Sequence, residues 1–243
     1  MDYFNILGSK IYEFILSVGE MVYQTLIYDN RYKFILEGVF NTIIIALFSV
    51  ILGVLIGTVV ALIRNNYDRN KKMKFLNNVV KFYVDIIRGT PVILQLMIIY
   101  YVIFKSVDIS VVLVGILAFG INSGAYVSEI IRAGIQSISI GQTEAGYALG
   151  LKYSQVMRYV ILPQSVRNIL PALGNEFITL VKETSVGAYI GIIELTKASD
   201  IIASRTYDYF CPLILVAIIY FFITFALSKG VQLLERKLNH VRN

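Results

Sequence analysis

Hydrophobic positions along this chain come in long blocks separated by short polar stretches. Five blocks, roughly 35–63, 75–104, 109–135, 166–193 and 210–234, meet the requirement of about 20 predominantly apolar residues for a helix that crosses a bilayer. Each predicts a transmembrane helix, and an odd number puts the chain ends on opposite sides. Ahead of them, Ile11, Phe14, Ile15, Val18, Val22 and Leu26 recur at helical spacing, while Lys10, Glu13, Ser17, Glu20 and Gln24 fall elsewhere. Glu13 and Glu20 interrupt the run and no small-residue cleavage site follows, so residues 1–30 read as an amphipathic helix at the outer interface or against the first span, not as a removed signal. Without an internal repeat or long linker, residues 31–243 read as one membrane domain.

Composition supports the class: 57% hydrophobic and 16% charged residues, with a mean hydropathy of +0.70, would give a soluble domain an aggregating surface. The net charge of +6 points to a membrane address and not to nucleic acid, because the basic residues are segregated. Arg64, Arg69, Lys71, Lys72 and Lys74, then Arg132, Lys152, Arg158 and Arg167, then Lys229, Arg236, Lys237 and Arg242 fall on one side, 13 of the 22 Lys and Arg. Opposite are six, Lys10, Arg31, Lys33, Lys105, Lys197 and Arg205, while Lys81, Arg88 and Lys182 lie within spans. The positive-inside rule then places the N-terminus outside and the C-terminus in the cytoplasm of a multi-pass cell-membrane protein. One cysteine, Cys211, and one histidine, His240, supply neither a disulfide framework nor a metal cluster. No GxxxxGK[ST], HExxH or GxSxG sequence occurs, so the chain carries no cofactor or phosphate-loop chemistry of its own and does not read as an enzyme.

Polar residues inside spans are the first candidates for function, since a charge at mid-bilayer costs at least about 2.5 kcal/mol. In the fourth span Glu176, Thr179 and Glu183 share one helical face, with Asn175 beside them. They line a pathway, or pair structurally, for instance Glu176 with Lys182. In the second span Asp85, Arg88, Gly89, Thr90, Pro91 and Gln95 predict a break, tolerated only where protein or water satisfies the freed backbone groups. A half-helix starting near Pro91 would turn its N-terminal N–H groups toward a cavity suited to an α-carboxylate, while Arg88 could instead neutralise Asp85. Glu129 and Arg132 read as a structural ion pair. Between the third and fourth spans, residues 141–163 predict two short projecting helices, with Pro163 ending the second or turning it toward the membrane. There Ala145, Gly146, Ala148 and Gly150 permit close approach of a partner, Glu144 and Lys152 offer charges, and Tyr147 and Leu149 offer apolar anchors.

The segment EAGYALGLKYSQVMRYVILP, residues 144–163, resembles the EAA signature of ABC importer permeases, with Gly146 in place of the second Ala and Val160 in place of Ile. With RGTPVILQL from Arg88, INSGAYVSEIIRAGIQSI from Ile121, ILPQSVRNILPALGNEFITLVKETS from Ile161 and IGIIEL from Ile190, residues 34–238 resemble the polar amino-acid subfamily of those permeases. The resemblance implies an all-α, type I importer fold with five core transmembrane helices, to which the N-terminal amphipathic helix is added. It implies two cytoplasmic ATPase subunits binding ATP and Mg, a second permease subunit, identical or homologous, and an extracytoplasmic solute-binding protein. It also implies a substrate pocket from Arg88, Gly89, Thr90, Gln95, Asn175, Glu176 and Glu183, to which the face reading adds Thr179, and an ATPase-coupling element from Glu144, Ala145, Gly146, Tyr147 and Gly150. Two carboxylates favour a cationic amino acid such as arginine or lysine. The GNEF pattern equally resembles permeases for glutamine or cystine. A solute channel is the rival of another class, but it leaves the EAA segment without a purpose.

Overall fold

The first apolar block folds as one unbroken helix of 39 residues, α2, Tyr32–Asn70. A stripe of small residues, Thr42, Ala46, Ser49, Gly53, Gly57 and Ala61, is buried along it. Against this stripe lies α5, Val111–Gln136, whose Gly115, Ala118, Ser123, Gly124 and Ser128 are also buried. Between membrane helices, small residues let backbones approach closely enough for dispersion and weak polar contacts to act. The approach here leaves no room for side chains. A Cβ on Gly57 would lie 2.8 Å from the Ser128 backbone nitrogen, and one on Gly53 2.6 Å from Ser123 Oγ.

The computed structural model describes residues 2–240; the side chains of Ile11, Phe14 and His240, and all of Arg242, lie outside the described residues. All regular elements among the described residues are helical. The register of contacts fixes the topology. Along α2 and α5, Ile45 meets Gly115, Leu52 meets Gly120, Gly53 meets Ser123 and Gly57 meets Val127, so both numbers rise together and the helices run parallel. The intervening chain must therefore cross back. It does so as α3, Lys74–Gly89, and α4, Val92–Ile98, extended by a π-helical turn, Ile99–Ile103, the second arm bent by 111° from the first. The bend falls at Thr90 and Pro91, both extended, where the sequence predicts the break.

After α5 come two short helices, α6, Ile140–Ala148, and α7, Tyr153–Val156, then a π-helical turn, Met157–Ile161, which runs directly into α8, Leu162–Glu183. Pro163 does not terminate a helix. It occupies the first turn of α8, where a missing N–H costs nothing. Gly134 meets Ile169 and Ser123 meets Glu176, so α8 runs antiparallel to α5. It passes through a 3-10 turn, Thr184–Ile190, to α9, Leu195–Thr206, and α10, Phe210–His240. With Gly174 against Val231 and Glu194 against Tyr220, α10 crosses back. The chain thus traverses five times. Among the described residues only α2, α5 and α10 are singly long and apolar enough to cross, with the bent α3–α4 pair as a fourth. The fifth, α8, is too polar along its length to meet that criterion.

The ends of α2 and α5, the starts of α3 and α8 and the end of α10 share one basic end. There the expected ion pair forms as a triad: Glu129 Oε2 accepts from Arg132 at 2.9 Å, and Glu129 Oε1 also accepts from Arg64. At the far end Glu194, fully buried, caps α9 by accepting from the N–H groups of Thr196 and Lys197, both at 2.7 Å, and from the Tyr220 hydroxyl at 3.0 Å. The N-terminal helix, α1, Asp2–Val22, followed by a π-helical turn, Tyr23–Ile27, leaves Ile15, Val18 and Val22 exposed, and the turn meets the body through buried Thr25 and partly buried Leu26.

Overpacking a close helix contact costs about 1–3 kcal/mol. Gly57→Val, blocked by backbone at Ser128, is expected to lower the thermal midpoint and yield of the purified protein, whereas Gly230→Ala, with nothing within 4 Å, leaves both intact. Equal thermal midpoints for the two variants would show that the α2–α5 approach does not limit stability.

Candidate functional site

The break between α3 and α4 exposes carbonyls that an intact helix would satisfy, and a single side chain answers them. Gln95 Nε2 donates to the Ile87 carbonyl at 2.8 Å, the Thr90 carbonyl at 3.0 Å and Thr90 Oγ1 at 2.8 Å. Thr90 Oγ1 in turn donates to the Ile86 carbonyl at 2.8 Å. The remaining oxygen of Gln95 accepts from Asn122 Nδ2 at 2.8 Å. The next residue on α5, Ser123, donates from Oγ to Glu176 Oε1 on α8 at 2.8 Å. Asn122 is 3% and Ser123 0% exposed, so the α5 part of the row is buried within the helix bundle, while Thr90 at its end is exposed.

The structure brings Thr90, Gln95 and Glu176 together through α5. Glu183, two turns beyond Glu176, stands near enough for the two charges to repel, with Thr179 between them on the same face and Asn175 exposed at its edge. Glu183 makes no ion pair or hydrogen bond among the described residues, and no ion pair joins Glu176 to Lys182. Arg88 is exposed, stands 5.5 Å from the Tyr126 ring centre and forms no ion pair with Asp85, while Gly89 faces open space. The arrangement can present paired carboxylates, an amide, hydroxyls and a guanidinium to a small polar solute, with Gln95 occupied by holding the break.

The projecting segment forms as expected, with one reassignment. Ser139 Oγ caps α6 by accepting from the Gly141 N–H at 3.3 Å. The helix ends in a Schellman arrangement: Gly150 at φ 76° donates to the Tyr147 carbonyl at 2.9 Å, and Leu151 donates to the Gly146 carbonyl at 3.1 Å. Glu144, Ala145, Tyr147, Leu149 and Gly150 project outward, whereas Gly146 is buried with its Cβ position 2.7 Å from Val156 Cγ2. Its smallness serves the contact of α6 with α7 and not a partner.

Residues 53–240 match the family of binding-protein-dependent transport system inner membrane components. The chain belongs to this family. Over 207 residues it is 39% identical to the putative glutamine transport system permease protein GlnP of Rickettsia typhi, covering 84% of this chain and 93% of that one. It is likewise 39% identical to the arginine transport system permease protein ArtQ of Bacillus subtilis, covering 84% and 92%, and 35% identical to the L-cystine transport system permease protein TcyB of Bacillus subtilis, covering 92% and 94%. A crystal structure of an amino acid ABC transporter with histidines superposes at a TM-score of 0.79 with 42% identity, covering 85% of this chain and 94% of that chain. The MetNI methionine ABC transporter, at 22% identity and a TM-score of 0.69, shares the fold over 86% of this chain and 99% of that one. This chain is a multi-pass permease subunit of an amino-acid ABC importer and not an enzyme; ATP is hydrolysed by a separate subunit.

Sequence reasoning missed Ser123 as the partner of Glu176, did not assign Asn122 to the site, and overlooked Glu194. The signal for Glu194 was an acceptor immediately before a helical run, the position of an N-cap. For Ser123 there was none, since a serine inside an apolar span bonds its own backbone as readily as a neighbour.

A buried acceptor left unpaired costs about 1–3 kcal/mol. Gln95→Leu, which removes the two N–H donors shared among these three acceptors while keeping bulk, is expected to destabilise the protein by that amount and to speed amide hydrogen exchange at residues 87–95. Unchanged exchange there would show that the break is held by other groups.

Proposed function

We propose that the row from Thr90 and Gln95 through Asn122 and Ser123 to Glu176, Thr179 and Glu183, with Asn175, Arg88 and Gly89 at its rim, lines the path of a cationic amino acid such as arginine or lysine. The observation that carries this reading is Glu183, a half-buried carboxylate two turns from Glu176 on the same face of α8, with neither in an ion pair among the described residues. Two neighbouring carboxylates are costly in a low-dielectric setting unless a positive charge visits them. A substrate ammonium or guanidinium supplies that charge. The glutamine and cystine permeases among the relatives favour a second reading, in which the row takes an uncharged polar side chain.

In this account the basic end faces the cytoplasm, as the segregation of Lys and Arg supports. The N-terminus is outside. A solute-binding protein delivers substrate at the far end, and a second permease subunit, identical or homologous, completes the pore. Two ATPase subunits, carrying ATP and Mg, engage Glu144, Ala145, Tyr147, Leu149 and Gly150. Closure of those subunits displaces α6, and the bundle alternates between outward and inward access.

A charge-assisted contact contributes roughly 1.5–3 kcal/mol, about ten- to a hundredfold in affinity. Glu176→Gln and Glu183→Gln are each expected to lower arginine or lysine uptake by that factor at normal expression, read by competition uptake. Variants that keep cationic uptake but lose glutamine or cystine uptake would transfer the site to the second reading, and unaltered transport of every solute would remove the row from the pathway.

Tyr147→Ala and Glu144→Lys are expected to weaken co-purification of the ATPase about tenfold while membrane insertion stays normal. Wild-type assembly and transport in both variants would overturn the docking role and, with it, the placement of the basic end on the ATP side.

A further inference from the structure

At the basic end a polar cavity of about 360 Å³, distinct from the central row, opens between the foot of α5, the first turn of α6, the start of α8 and the end of α10. Its lining is Ser137, Ser139 and Gln142, then Gln164, Arg167 and Asn168, with Ile138 and Leu238 as its apolar members. No acidic side chain lines it. Asn168 Nδ2 donates to Ser137 Oγ at 2.8 Å, joining α8 to the foot of α5, and Gln164 donates to the Val160 carbonyl at 2.7 Å. The half-buried Arg167 makes no hydrogen bond, ion pair or ring contact among the described residues, unlike Arg64 and Arg132 on the same end. A guanidinium withdrawn part-way from water toward neutral hydrogen-bonding groups is suited to a planar anion.

We propose that this cavity is an inner-end binding site for the carboxylate of a free amino acid. One positive charge with a planar fork of donors matches a carboxylate monoanion better than a phosphate dianion. The hydroxyls and amides of Ser139, Gln142 and Gln164 complete the coordination. Pro171, inside α8, has no N–H to give the Arg167 carbonyl one turn back, which leaves that carbonyl as the candidate acceptor for the α-ammonium group. The volume falls in the range of small-molecule sites. Arg167 precedes Asn175 by eight residues, or roughly 12 Å of helix rise, so the site is separate from the central row and does not depend on which side chain that row takes. An occupant bridges the α6 cap to α8, the helix that carries Glu176 and Glu183.

The test is a thermal-unfolding titration of the assembled transporter with acetate, L-arginine, agmatine and inorganic phosphate. Agmatine keeps the guanidinium and an amine but lacks the carboxylate, so it reports on the central row alone. Acetate and L-arginine are expected to give a saturable shift, and Arg167→Gln to weaken the acetate response about tenfold or more. Gln142→Glu, which places a carboxylate beside Arg167 without removing the cation, is expected to abolish the same response, and Glu183→Gln to leave it unchanged. An acetate response that survives both Arg167→Gln and Gln142→Glu, one that disappears in Glu183→Gln, tighter binding of phosphate than of acetate, or no acetate response at all would each overturn the proposal.

Discussion

A bilayer offers no hydrogen-bond partner to a broken backbone, and the structure is organised around meeting that constraint at one place. The chain bends by 111° between α3 and α4, and the carbonyls freed there are taken by Gln95, which is itself fixed by Asn122. Asn122 can reach because α5 sits at the centre, pressed to α2 on its small-residue side. Ser123 points the neighbouring position at α8 and holds Glu176. Two adjacent residues thus tie the crossing that breaks to the crossing that carries the carboxylates. Loss of the α2–α5 approach would loosen both ties.

Much of this was legible in the sequence because the relevant physics is local. The break follows from Gly89, Thr90 and Pro91, the shared face of Glu176, Thr179 and Glu183 from helical spacing, and the ion pairing of Glu129 with Arg132 from their three-residue separation. Apolar run length located α2, α5 and α10. The helical part of the fourth crossing stops at Glu183, ten residues short of the expected boundary at 193, because the chain tightens into a 3-10 turn over Thr184–Ile190, where Gly187 packs closely on Ile192. Run length alone cannot sense that tightening. Pro163 could end the helical stretch or turn it toward the membrane, and the unbroken run from Met157–Ile161 into α8 shows that it does not end it.

What stayed hidden depends on partners distant in sequence. Arg64 joins Glu129 from a different helix, so the expected pair became a triad with an excess positive charge. Gly146 reads as a surface residue made small for a partner until Val156 is found against it. Arg88 and Asp85 occupy successive turns, but the guanidinium lies by Tyr126 instead. Of its described apolar side chains, the N-terminal helix leaves Ile15, Leu16, Val18 and Val22 exposed.

The length of α2 has a mechanical consequence. Its 39 residues span roughly 58 Å at helical rise, about twice the hydrocarbon thickness, so it protrudes as a rod. Near its start Gly38 and Asn41 touch the chain at Glu194, Leu195 and Ile193, and near its finish Asn65 Nδ2 donates to the Tyr153 hydroxyl at 3.2 Å while Arg69 lies 4.1 Å from that ring's centre. Tyr153 opens α7, directly behind the projecting α6. With its fulcrum where Gly53 and Gly57 press on α5, a tilt of about 5° would swing the Tyr32 tip by roughly 3 Å and the Asn70 tip by roughly 2 Å in opposite senses, on the same helical rise. A push delivered at α7 would then arrive inverted at the Glu194 turn, making α2 a lever between the two membrane surfaces.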